Sequence, residues 1–206
     1  MRRNAGWMAA AIGGTAVGLG IAWLLREKAT PEADYRVLAS EREFEIRGYA
    51  PMTVAETVVR GERKNALNEG YRILSDYLTA RTRPGERLPM HVPVLQDAGN
   101  PMATDPPLFD DEVEGGWRVR FVMPEGELPE PPEGVTLAGL PSRRMGVVSF
   151  HGTAHDERLA AAEDRLRGWL SRHGEPCRNS EPEYAFYNSP MIPPILRRCE
   201  VLLPLD

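Results

Sequence analysis

The alternation of apolar and polar positions divides the chain into two similar units. From Thr53 to Ala80 (TVAETVVRGERKNALNEGYRILSDYLTA) a β-branched run reaches Gly61 and turns directly into an amphipathic stretch. From Met145 to His173 (MGVVSFHGTAHDERLAAAEDRLRGWLSRH) the same order returns, with Gly152 in the place of Gly61. Strand, glycine, helix, given twice, indicates an internal duplication. In the first helix, Glu62 to Ala80, the spacing sets Leu67, Tyr71, Leu74 and Leu78 on one stripe with Ala66, Gly70, Ile73 and Tyr77 beside it. In the second, Asp156 to Arg172, Leu159, Ala162, Leu166, Trp169 and Leu170 form the buried face, and His155 begins the helix.

Around these units the pattern predicts further strands. Tyr35 to Arg47 alternates as one half-buried strand that Gly48 ends, and Met52 to Val59 closes a hairpin with it through Tyr49-Ala50-Pro51. Leu88 to Leu95 is a strand placed at an edge, because Pro93 cannot donate to a ladder, with Trp117 to Met123 as its partner. Met123 to Gly134 is acidic and proline-rich, a joint too poor in apolar side chains to pack. Val135 to Ala138 and Met145 to Phe150 are strands, and Glu183 to Asn188 pairs with Arg198 to Leu203 as a closing hairpin. Each half is strand, strand, helix, strand, strand. The class is α+β, with a mostly antiparallel sheet or open barrel and one helix packed on each half.

The start of the chain is different. Gly6 to Leu25 carries no charge over 20 residues and at 1.5 Å per residue reaches roughly 30 Å, the thickness of a bilayer core. Residues 1–28 therefore read as a membrane anchor with its flanks, residues 29–34 as a linker, and residues 35–206 as the folded domain. A cleaved secretory signal is the alternative, but Trp23, Leu24 and Leu25 stand where a small-x-small cleavage site belongs. Arg2 and Arg3 precede the segment, while Glu27 offsets Arg26 and Lys28 after it, which puts the amino terminus in the cytoplasm. The domain then lies outside the cytoplasm, which is the periplasm if the cell is Gram-negative. Gly14 and Gly18 form a small-xxx-small pair that fits helix pairing, or nothing beyond ordinary membrane packing.

Charge narrows the partners. The chain carries −5, and the five charged residues flanking the apolar segment contribute +3, so the exported part carries −8. No dense basic run follows Lys28, which argues against nucleic acid. The carboxylates between Gln96 and Gly116 lack the ligand order of a calcium loop and read as a solvated connection. An oxidising compartment permits a disulfide between Cys177 and Cys199, although the hairpin register does not set them opposite each other. The histidines show no metal spacing, neither cysteine has the CxxCH setting for covalent haem, and no nucleophile elbow, P-loop or dinucleotide fingerprint is present. Spacing alone favours a binding or interaction domain over an enzyme.

Five phrases in order resemble the SOUL haem-binding family: TVAETVV with its following helix, MHVPV, WRVRFVMP, LPEPP, and YNSPMIPPILRRCEVLLPL. The resemblance runs from about Tyr35 to Leu205. It implies a pseudo-twofold pair of halves forming a distorted antiparallel barrel flanked by two helices. It further implies reversible, noncovalent binding of haem or another tetrapyrrole in a shallow apolar groove, made by the first long helix and the loop Ser189 to Leu196. On these positions Tyr71, Tyr187, Met191 and Ile192 are the expected wall, and Arg60, Lys64 and Arg72 the expected cations for the propionates. Relatives commonly carry a small residue after the methionine of the phrase that here reads Met90-His91. A histidine there is a candidate iron ligand. The expected role is that of an anchored carrier, buffer or scavenger. Two rivals keep the same fold: a sensor or binder of another flat hydrophobic molecule, and a non-enzymatic interaction domain that docks on a membrane partner.

Overall fold

The computed structural model describes residues 30–98, 116–175, 177, 181–188 and 192–205. Contacts divide the chain into residues 1–31 and 32–206, and the fold described here is that of the second unit. The expected membrane segment and most of the acidic connection after Gln96 lie outside the described residues. Among the described residues no helix is long and apolar enough to cross a membrane.

Among the described residues, nine strands and two α-helices follow the order β1 (Tyr35–Glu41), β2 (Phe44–Tyr49), β3 (Met52–Arg60), α1 (Arg63–Leu78), β4 (Val94–Ala98), β5 (Gly116–Val122), β6 (Thr136–Leu140), β7 (Arg143–His151), α2 (Asp156–Arg172), β8 (Glu183–Phe186) and β9 (Arg198–Leu205). They form a single sheet in the order β1-β2-β7-β9-β8-β4-β5-β3-β6, and every neighbouring pair is antiparallel. Residues from every strand except β6 meet in one cluster on one face: Tyr35, Tyr49, Met52, Leu95, Val122, Met145, Val147, Ala185 and Leu202 among them. A flat sheet of this width could not bring them together. The sheet is therefore curled into a half-barrel, open between β1 and β6.

Read from either end, the strands β2 to β6 give the same order once β2 is matched with β6, β3 with β7, β4 with β8 and β5 with β9. That is a pseudo-twofold axis between β4 and β8, and it confirms the duplication seen in the pattern. Each half has lent its first strand to the other: β2 lies on β7, and β6 lies on β3. The expected hairpin between β2 and β3 is therefore absent. Residues 35–47 are likewise two strands, because Arg42 takes a left-handed turn at φ 56° and folds β1 back on β2. Gly48 does not end the run but lies inside β2, opposite Arg36 and Arg144. Strand β4 begins only after Pro93 and sits inside the sheet between β5 and β8, not at an edge.

The helices cover the outer face. The turns that launch them need a positive φ, met by Gly61 at 111° and Gly152 at 123°. Helix α2 packs Leu159, Ala162, Leu166, Trp169 and Leu170 on Ile46, Val148, Val201 and Leu203. Helix α1 buries Ala66, Gly70, Leu74, Tyr77 and Leu78, so its buried line is rotated from the expected stripe. Gly70 sets this rotation, since a Cβ there would stand 2.6 Å from Val119 Cγ2. The helix comes down on β5 along its small residues and leaves Leu67 and Tyr71 half-buried on its shoulder. The proline-rich joint packs after all: Leu128 joins the cluster under α1, and Tyr77 donates to the Pro129 carbonyl at 2.6 Å. Both cysteines are free and buried.

The close approach at Gly70 gives a test with opposite signs. Gly70→Ala should lower stability by about 1–2 kcal/mol, because overpacking against a β-branched neighbour outweighs the helix propensity gained. Gly168→Ala on α2, where a Cβ meets nothing nearer than Arg172 Nη1 at 3.5 Å, should raise stability by about 0.5–1 kcal/mol. Urea unfolding of both variants against the parent chain measures the difference.

Candidate functional site

Two places on this frame hold the residues singled out by sequence. The first is the shoulder of α1. Leu88 N–H donates to the Leu78 carbonyl at 2.8 Å, and the Tyr71 hydroxyl reaches Met90 Sδ at 3.9 Å, so residues 88–91 run back along the helix. Tyr71 also packs edge-on against Phe121, with ring centroids 5.2 Å apart. Leu67, Tyr71, Leu88 and Met90 are half-buried there and offer a continuous apolar strip. His91 follows directly and is half-buried, and its Nδ1 is buried with no hydrogen-bond partner. A buried ring nitrogen without a partner costs free energy unless something else engages it.

The cations separate into two kinds. Lys64 stands two helical turns before Tyr71 on the same side of α1, and both Lys64 and Arg60 are exposed. Arg72 is already engaged by Glu69 at 2.6 Å and Asp76 at 3.4 Å. Its pKa is raised, first by the Glu69 hydrogen bond and then by the Glu69 charge.

The second place is the connection between β8 and β9. Tyr187 is buried: its hydroxyl donates to Glu200 Oε2 at 2.7 Å, and Arg198 lies over its ring at 3.8 Å from the centroid. Ile192 is also buried. In this structure both belong to the packing beneath the loop, not to an open wall, and Met191 lies outside the described residues. The exposed apolar residues of the loop are Ile195 and Leu196, on a 3-10 turn over Pro194–Leu196. The pattern of a proline-bound apolar run marks the loop, but it does not separate Ile192, which packs inward, from Ile195, which does not. The two places adjoin. The ladder that pairs Val94 with Phe186 carries Val92 to the side of Tyr187, and both are in the inner cluster.

Sequence gave no sign of the charged groups inside the half-barrel. Glu200, fully buried at 0% exposure, receives Arg47 at 2.9 and 3.1 Å, Arg198 at 2.9 and 3.0 Å, Ser149 Oγ at 2.7 Å and the Tyr187 hydroxyl. Burial pushes its carboxyl up, and the Arg47 hydrogen bond together with the charges of Arg47 and Arg198 more than reverses this, leaving it below the ordinary 4.5. Tyr49, held by burial, rises to about 12. Farther along the same face Arg143 pairs with Glu183, Arg118 with Asp97 at 3.1 Å, and Arg120 with Glu56 at 3.1 Å. The alternation that marks strands cannot mark this set, because an inward arginine and an outward one look alike in sequence. Every oxygen of Glu200 is engaged, so this centre serves the fold.

Comparison with known proteins decides the family. The SOUL heme-binding protein family matches residues 30–204. The chain belongs to that family. No curated protein matches it. Among solved structures this SOUL domain is similar to the EcmrR C-terminal domain, at 12% identity and a TM-score of 0.56 over 84% of this chain and 98% of the other. It is also similar to a hydrolase from Listeria innocua, at 12% identity and a TM-score of 0.55 over 82% and 94%. At that identity the likeness is one of fold alone, and hydrolysis stays with the Listeria protein. SOUL is a binding-protein family, and among the described residues no group of three or more His, Cys, Asp or Glu is placed to hold a metal ion. A haem brings its own equatorial ligands and asks the protein for a flat apolar contact and at most two axial donors. The half-buried strip offers the apolar contact, while His91 Nδ1 is itself buried, so ligation through it would require the ring to turn outward.

Removing the central carboxylate leaves two guanidinium groups without their partner in the interior. Glu200→Ala should cost about 3–5 kcal/mol, and Glu200→Gln less. Because the folded carboxyl titrates below its unfolded value of 4.5, its stabilisation is complete above that pH and is lost as the pH falls below it. Urea midpoints measured from neutral to acid pH should show this loss in the parent chain and lack this group's share of it in Glu200→Gln.

Proposed function

We propose that this SOUL protein is a membrane-anchored, noncovalent haem or tetrapyrrole binder that carries, buffers or scavenges its ligand on the outer side of the membrane. The observation that carries the reading is the shoulder of α1, where the Tyr71 hydroxyl reaches Met90 and Leu67 is half-buried on the same cluster, with His91 next in the chain after Met90. A bound haem supplies a flat apolar macrocycle, two anionic propionates and an iron that accepts axial donors. Leu67, Tyr71 and Met90 provide a surface on which such a plate loses water from one face. The Tyr71 ring is fixed by Phe121, so little rotamer freedom remains to be lost on contact. Lys64 and Arg60, at the amino-terminal end of the strip, attract carboxylates without first breaking an ion pair among the described residues. His91 offers a ring nitrogen that has no hydrogen-bond partner, so no existing hydrogen bond at Nδ1 opposes ligation once the ring turns outward. The anchor places the domain at the surface from which an amphipathic macrocycle partitions.

Haemin and iron-free protoporphyrin, titrated into the full chain in detergent and followed at the Soret band, test this. One saturable equivalent is expected with haemin. Tyr71→Ala should weaken both ligands about 5–10-fold, the equivalent of ~1–1.4 kcal/mol of stacking contact. His91→Ala should shift the haemin spectrum and weaken haemin at least tenfold while leaving protoporphyrin unchanged. Arg72→Ala should change neither, since its guanidinium is held by Glu69 and Asp76. Absence of saturable binding by both ligands overturns the tetrapyrrole reading, and an unshifted spectrum in His91→Ala removes that residue as a ligand.

A further inference from the structure

We propose that the turn carrying Ile195 and Leu196 is a membrane-docking tip that seats the domain on an anionic lipid surface. Ile195 is 78% exposed and Leu196 52%. Isolated exposed apolar residues are ordinary on a protein surface, but this pair is displayed by a stiff support. Leu196 N–H donates to the Pro193 carbonyl at 2.9 Å, Arg197 N–H to the Pro194 carbonyl at 3.0 Å, and Arg197 Nε to the Ile192 carbonyl at 2.8 Å. Ile192 is buried beneath, and Gly152 N–H holds the Arg197 carbonyl at 2.9 Å. Two prolines and these bonds leave the tip little freedom to fold its apolar side chains away.

The surroundings are cationic. Arg197 and Arg198 follow the tip in the chain. Arg158 reaches the same corner through the His151 carbonyl at 2.7 Å, and its charge with that of Arg197 acts on Cys199. Arg198 is largely neutralised by Glu200 and Glu32, so the attraction for lipid phosphate falls mainly to Arg158, which is exposed. An apolar tip with a basic collar is the arrangement that binds an anionic interface.

The path of the chain selects a bilayer as the occupant. Arg198 Nη1 binds Glu32 at 3.2 Å, and Ala33 N–H donates to the Val92 carbonyl at 2.9 Å. The polypeptide thus joins the domain at the foot of this loop, and Ile195 is three residues from Arg198. Six residues lie between Leu25, the end of the uncharged stretch, and Glu32, and these seven chain steps span at most about 25 Å. That tether length is short enough for the tip to engage a bilayer that holds residues 6–25. His91 adjoins Val92 at the same place, so docking would turn the proposed tetrapyrrole strip toward the lipid surface. The inference rests on the anchor reading and extends the proposed function.

The test uses the full chain with Ile195→Cys carrying an environment-sensitive fluorophore, reconstituted in phosphatidylcholine vesicles with or without phosphatidylglycerol. Alkaline flotation reports the anchor separately. A chain that floats and shows a blue-shifted label, quenched severalfold by shallow nitroxide lipid and more so with phosphatidylglycerol, supports docking. Leu196→Asp in the same chain should reverse the shift without altering flotation. A floating chain whose label stays water-like overturns the tip, and failure to float overturns the anchor on which it rests. A shift that grows with protein concentration in the absence of lipid assigns the tip to a second copy of the chain and overturns the proposal.

Discussion

The buried carboxylate of Glu200 is the constraint on which the rest of the architecture depends. Desolvating a charge is expensive, and it is tolerated only where partners occupy its oxygens. Here they come from separate pieces of chain: Arg47 on β2, Ser149 on β7, Arg198 on β9 itself and Tyr187 just after β8. Arg47 on the borrowed strand alone reaches both oxygens, and the others complete the set. The interior therefore closes only when the strand borrowed from the first half is in place on the second, and the charge acts as a condition on topology as well as a contact. Arg198 extends the condition to Glu32, fixing where the chain joins the domain.

Satisfying that centre has a consequence for function. A half-barrel open along one side is a natural ligand cavity, yet its inner face here is occupied by ion pairs and by Ala33, Val92 and Tyr35 packed across it. A tetrapyrrole has no cause to displace groups that are already paired. The proposed site lies instead on the outer side, where the close contact of Gly70 with Val119 lowers α1 onto the sheet and turns Leu67 and Tyr71 onto a shoulder. The interior holds the fold, and the proposed ligand surface is what helix packing leaves over.

The duplication, the two launching glycines, both helices and seven of the strand runs were legible in the sequence, because periodicity reports which face of an element is buried. Pairing was less so. Exchange of β2 and β6 between the halves is invisible to local pattern, since a strand alternates in the same way whichever neighbour it meets. The same limit applies to the site. Tyr71 is a distinctive residue on a recognisable element, and it meets Met90, the residue before His91. Tyr187 and Ile192 carry the same apolar signature as open wall residues, but the burial that decides their role depends on Glu200 and on the loop's own supports. The membrane segment and Met191 lie outside the described residues.

A shoulder site and a docking tip are consistent demands of one task. A ligand held on one face keeps its other face toward solvent or lipid, so only part of the apolar area of a macrocycle is removed from water and the retained affinity is limited. That suits exchange and works against permanent storage. A weak site is effective when its ligand is locally concentrated, and an amphipathic tetrapyrrole concentrates at a bilayer surface. Anchoring supplies proximity but leaves rotation about the linker free. A second contact at Ile195 and Leu196, close to where Glu32 and Val92 meet, removes that freedom and fixes which side of the domain faces the lipid. In the proposed arrangement orientation, not tight binding, would be what the fold contributes to moving a ligand.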